Sequence, residues 1–229
     1  MFVYHSARIG LPDYHHLQEI DTLIRMLAAK LEGIWQQPDA GMWESRGRPH
    51  HHTYSKAMCW VAFDRAAAWL CDRDADLSER YRRLAANVRE EVLEKGFDRR
   101  RNSFVRAYDD DALDAAVLRL PFVGLIDPCD ERMIGTVAAI ERELVSGGLV
   151  WRYRSEDTDD GLEQGEGAFV AAGFWLADAL QCRGGRTRPG PCSNGCWGGP
   201  MMSVCWLRNY RANRIVSLAN FRRPCRICP

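Results

Sequence analysis

Between Asp13 and Gln181 the apolar residues return at steps of three and four, a period that helices satisfy and alternating strands do not. Asp13 after Pro12 is a helix start signal, and Leu17, Ile20, Leu23, Ile24, Leu27, Leu31 and Ile34 follow it on one face. A second helix is expected from about Thr53 to Leu70, and a third from about Leu77 to Lys95, ending at Gly96 as helices commonly do. Further helical stretches are expected near Asp110–Leu120, Asp130–Val145 and Glu166–Leu180. The fold class read from this pattern is all-α.

The net charge of zero hides a division. Residues 1–181 carry every one of the 31 acids and 22 bases, whereas residues 182–229 carry nine arginines, no Asp, Glu or Lys, and six of the nine cysteines. The chain therefore reads as a body, 1–181, and an Arg/Cys-rich tail, 182–229, expected to be irregular and poorly ordered. No apolar run reaches the roughly 18–20 residues that a membrane helix needs, and MFVYHSARIGLPDYHH has no signal-peptide character. The expectation is a cytoplasmic protein with reduced thiols, free of membrane contact.

The loops of the body resemble one another. PDAGMWESRG around Trp43, RRNSFVRAYDDD around Phe104 and GGLVWRYRSEDTDDG around Trp151 each follow one helix and precede another rich in Ala and aromatics. Such repetition suggests an array of helix–loop–helix units that bury each other's faces and present their loops on one side. A bundle whose loops share only composition has the same pattern.

Within the first loop Gly41 permits a tight turn, and Trp43 stands beside Glu44. An indole covers the C–H face of a sugar, and partial desolvation of a neighbouring carboxyl group raises its pKa so that it can donate a proton. Arg46, Arg106, Arg152 and Arg154 would add fixed donors for sugar hydroxyls. An isolated Trp–Glu pair is equally a structural feature. His50, His51 and His52 are candidates for solvated or substrate-contacting residues more than for metal ligands, and no metal or cofactor is expected. The Asp109–Asp111 run is expected to cap the next helix. Ser55 and Lys56 read as scaffold near the cleft, and Cys59, Cys71 and Cys129 as buried or idle thiols.

Three segments carry a resemblance: WQQPDAGMWESRGRPHHHTYSKAMCWVAFDRA, DALDAAVLRLPFVGLIDPCDERMIGTVAAIERELVSGGLVWRY and DGLEQGEGAFVAAGFWLADAL. Together they cover nearly all of residues 35–181 and resemble glycoside hydrolase family fifteen, the glucoamylase, glucodextranase and bacterial trehalase group. The resemblance implies a toroid of six helical hairpins, an (α/α)6 fold of which this chain holds about three hairpins. It also implies inverting hydrolysis of terminal α-glucosidic bonds, with an α-glucoside oligosaccharide or trehalose as substrate. By that likeness Glu44 matches the general acid and Arg152 a substrate-binding arginine. Trp43 lies at the wall of the sugar site, and Glu166 in the GEGAF segment is a further substrate-binding candidate.

An inverting glycosidase needs a second carboxylate, roughly 6.5–9.5 Å from the first, to activate water. In the family this glutamate lies downstream of GEGAF in a GLLxEE-like stretch, which would fall in the acid-free tail. One permitted coding of Met201–Asn209, read from its third base, spells DVGLLAEE. A one-base frame change near Arg183–Arg186 is therefore expected, with the general base missing from the chain as it stands. The rival reading of the tail is a zinc site, Cys192-x3-Cys196 with Cys225-x2-Cys228, beside arginines for nucleic acid. The family's β-sandwich domain and first hairpins would precede residues 1–35, so the N-terminus reads as cut and the fragment as marginally stable. The resulting expectation is a glycosidase-like fragment that does little catalysis, with a non-catalytic carbohydrate-binding fragment as the alternative.

Overall fold

The computed structural model describes residues 17–154 and 168–183. Six α-helices carry the fold among them, α1 (Leu17–Glu32), α2 (Thr53–Leu70), α3 (Ala75–Lys95), α4 (Leu120–Val123), α5 (Glu131–Glu143) and α6 (Val170–Arg183). Two antiparallel hairpins of two-residue strands interrupt them: β1 (Phe97–Asp98) with β2 (Ser103–Phe104), and β3 (Val145–Ser146) with β4 (Leu149–Val150).

The helices divide by how much of their circumference is apolar. In α2, 11 of 18 residues are buried, including Ala57, Trp60, Phe63, Ala66 and Leu70, so the helix is enclosed on most sides. By contrast α3 buries one stripe, Ser78, Tyr81, Ala85, Val88 and Val92, against α2, with Tyr81 stacked on Phe63 at 5.9 Å between ring centroids. Asp74 starts α3 by accepting the Leu77 N–H, and Gly96 closes it, its N–H donating to the Val92 carbonyl. Similarly, Asp130 accepts from the Arg132 N–H at the start of α5, whose Met133, Thr136, Val137 and Ile140 face inward.

Among the described side chains of α1 only Ala28 is buried, and Leu23, Met26 and Leu27 are 48%, 59% and 57% exposed. Polar clasps hold this helix to the rest. The Trp69 indole N–H donates to Asp21, Arg25 bridges Asp21 and Asp74, and Arg80 pairs with Glu32. The buried Lys56 donates to the carbonyls of Trp35 and Gln37, fixing the turn that leaves α1.

One stretch differs from its expected form. Residues 110–114 are not helical, and the chain then enters a 3-10 turn, Ala115–Arg119, before α4. The cause is local: Asp110 accepts the Ala112 N–H at 2.8 Å, and Asp114 accepts the Ala116 N–H at 2.7 Å. Such side-chain bonds to nearby backbone compete with helical ones. The cap therefore comes from Asp114, not from Asp109–Asp111. Of the stretch expected from Glu166 to Leu180, the described part is helical from Val170. The helix runs on into the first two residues of the tail, and the rest of it, residues 184–229 with the cysteine pairs, lies outside the described residues.

Candidate active site

The turn that follows α1 places Trp43 and Glu44. Asp39 and His50 form an antiparallel bridge at its base, and Asp39 accepts both the Gly41 N–H and the Ser55 hydroxyl, at 2.6 and 2.8 Å. Gly41 has φ +72°, and a Cβ there would lie 2.9 Å from the His52 ring, so glycine is required on both counts. Glu44 itself has φ +53°, an uncommon backbone state for a non-glycine residue, and its side chain is exposed. His52 supports this turn from beneath. It is buried, its Nε2 has no hydrogen-bond partner, and burial lowers its pKa, which keeps the ring neutral.

Three distant segments converge on Trp43. The indole N–H donates to the Asp114 carboxyl, 3.0 Å from each oxygen. The Arg152 guanidinium stands 5.6 Å from the indole centroid, and Phe169 and Trp175 approach the same ring edge-on and tilted, at 5.2 and 6.2 Å. The Ala115 N–H donates to the Arg152 carbonyl at 2.8 Å, so the turn holding Trp43 also holds the arginine's backbone. Asp114 is buried, and burial pushes its carboxyl up to about 6, against the opposing pull of the Ala116 and Trp43 donors and the charges of Arg106 and Arg152.

Sequence reasoning brought Trp43, Glu44 and Arg152 into one site, and the structure places Trp43 against Arg152 with Glu44 next in the chain. Glu166 lies outside the described residues. Of the other arginines, Arg106 pairs with Asp110 and its charge also acts on Asp114, Arg154 donates to the Glu143 carbonyl, and Arg46 is exposed. The three histidines do not form one cluster: His50 pairs with Asp109 and meets His52 edge-on at 5.9 Å, His52 lies under Gly41, and His51 stacks on Tyr108. Among the described residues no cluster of three His, Cys, Asp or Glu has the geometry to hold a metal. Cys71 and Cys129 are exposed, and Cys59 is half-buried with its thiol pKa raised by burial. Asp114 and the aromatic pair Phe169 and Trp175 were missed as site residues, although all three stand within the quoted segments.

The family described as glycosyl hydrolases family 15 matches residues 3–193. The chain belongs to that family. Its family 15 relatives include the trehalase of Mycobacterium tuberculosis, 45% identical over 148 residues that make up 64% of this chain and 22% of that protein. The trehalase of Thermoplasma volcanium is 42% identical over 161 residues, 69% of this chain and 25% of its own length. The chain thus spans about a quarter of the length of these relatives. A glycosidase solved in complex with glucose and a wild-type glycosidase each share the fold with TM-score 0.66 at 24% identity, over 80% of this chain and 46% of theirs. The all-α, partial-toroid fold follows from that likeness. No described helix of this family 15 chain is long and apolar enough to cross a membrane.

Proposed function

We propose that this chain carries the proton-donating half of an inverting α-glucoside hydrolase site, with trehalose as the favoured substrate. Glu44 is the general acid, protonating the glycosidic oxygen as the bond breaks. Trp43 supplies an apolar wall for the sugar ring, and Arg152 donates hydrogen bonds to its hydroxyls. The convergence of Arg152 and Asp114 on Trp43, the neighbour of Glu44, is the observation that carries this reading. The 41–45% identity to trehalases favours trehalose over longer glucosides.

Inversion also needs a carboxylate that activates water, and residues 182–229 hold none. We attribute this to a one-base frame change near Arg183–Arg186. The chain as it stands then binds sugar with little turnover. Sequencing the source DNA tests the frame: an alternative frame encoding a GLLAEE-like stretch is expected, and its absence would remove the idea. Calorimetry with trehalose tests the site, with affinity expected to fall in Arg152→Ala. A second reading, a non-catalytic carbohydrate-binding fragment, is favoured by the acid-free tail alone. It would prevail if the source DNA held no such stretch and trehalose still bound.

A further inference from the structure

The Asp114–Ala116 turn touches both of the segments that make the sugar site. Its Ala115 N–H fixes the Arg152 backbone, and its Asp114 carboxyl receives the Trp43 indole. Asp114 is itself pinned, because Ala116 donates to the same Oδ1 that receives Trp43, and its side chain is enclosed, the residue being 5% exposed. An indole N–H turned away from Asp114 would lose its acceptor in a partly enclosed site, so that rotation is disfavoured. Arg152 rests against the face of that ring, so the ring's orientation also sets where the guanidinium is attracted.

We propose that Asp114 is a positioning residue of the glycosidase site, fixing the Trp43 ring, and through it the adjoining Glu44 and the Arg152 head, in one arrangement. It acts through Trp43 and makes no contact with sugar. This role rests on the sugar-site reading given above, while the contact that produces it is measurable without any sugar. The charged groups facing the Asp114 carboxyl are Arg106 and Arg152, and both favour its ionised, acceptor-only form.

Hydrogen exchange at the Trp43 indole N–H, assigned in ¹⁵N spectra by its loss in Trp43→Phe, tests the contact. Slow exchange is expected in the natural chain, an acceleration of about tenfold or more in Asp114→Ala, corresponding to ~1.4 kcal/mol, and recovery of slow exchange in Asp114→Asn, which keeps an acceptor. Exchange unchanged by Asp114→Ala would overturn the proposal. If Asp114→Ala fails to fold, the same resonance compared in Asp114→Asn decides: movement with pH that is present in the natural chain and lost in Asp114→Asn supports the contact, and behaviour alike in both overturns it. Calorimetry with trehalose forms a separate arm, with a loss of about tenfold in Asp114→Ala and recovery in Asp114→Asn, again ~1.4 kcal/mol. If the natural chain binds no trehalose, the sugar reading fails while the indole measurement still judges the contact.

Discussion

Two indole–carboxylate pairs tie this fold together, and they differ in what surrounds them. Trp69 donates to Asp21 on the outer side of α2, where Asp21 also pairs with Arg25 and remains partly open to solvent. Trp43 donates to Asp114 in an enclosed site where, among the described residues, no side chain forms an ion pair with that carboxyl. The same hydrogen bond therefore sits on carboxyls shifted in opposite directions. The Arg25 guanidinium holds Asp21 below the usual range, and burial pushes Asp114 up to about 6. The outer pair is a clasp for α1, whereas the inner one costs desolvation and fixes a particular ring orientation.

Removing each acceptor should break the likeness most visibly. Asp114→Ala strands the Trp43 and Ala116 N–H groups in an enclosed site and is expected to destabilise the chain by about 2–4 kcal/mol, read from urea unfolding. The pH dependence separates the pairs next. A carboxyl at about 6 in the fold and near 3.8 unfolded binds a proton more tightly when folded. Its contribution is then fully present below pH 3.8 and is lost as pH rises through 6, an amount of about 3 kcal/mol at most. Asp21 has the reverse sign: its contribution is present above the unfolded value and lost as pH falls through the lower folded one. Unfolding at pH 4–7 should accordingly show Asp114→Asn gaining stability relative to the natural chain as pH rises, with Asp21→Asn showing no such gain.

Gly41→Ala is expected to cost about 1–3 kcal/mol, because the turn needs positive φ and the His52 ring leaves no space for a methyl group. It should also disturb the Trp43 indole resonance, which sharpens the distinction by showing that the inner pair depends on the turn as well as on Asp114. The smallest effect is expected for Asp21→Asn, about 0.5–1 kcal/mol and reduced by salt, as for other partly exposed ion pairs.

The legible parts of this molecule were those with local causes. The period of α2 and α3, the Gly96 stop and the Asp130 start could all be read from neighbouring residues, as could the adjacency of Trp43 and Glu44. The 110–120 stretch departs from the expected helix because a helical spacing says nothing of Asp110 and Asp114 bonding to backbone two residues ahead. Asp114 as a site residue was invisible for another reason: its partner lies 71 positions away, and an Asp among Ala and Leu carries no local sign of an indole above it. The exposed Leu23 and Leu27 follow the helical period of α1, yet period alone does not reveal what covers a face.

The proposed site has Glu44 as proton donor and, with residues 182–229 free of acids, no partner there to activate water. Glucose release from trehalose by the purified 229-residue chain, measured beside Glu44→Gln, tests this most directly. The prediction is no release above the Glu44→Gln background. Release at an ordinary enzymatic rate, on the order of 1–1000 per second, would contradict it.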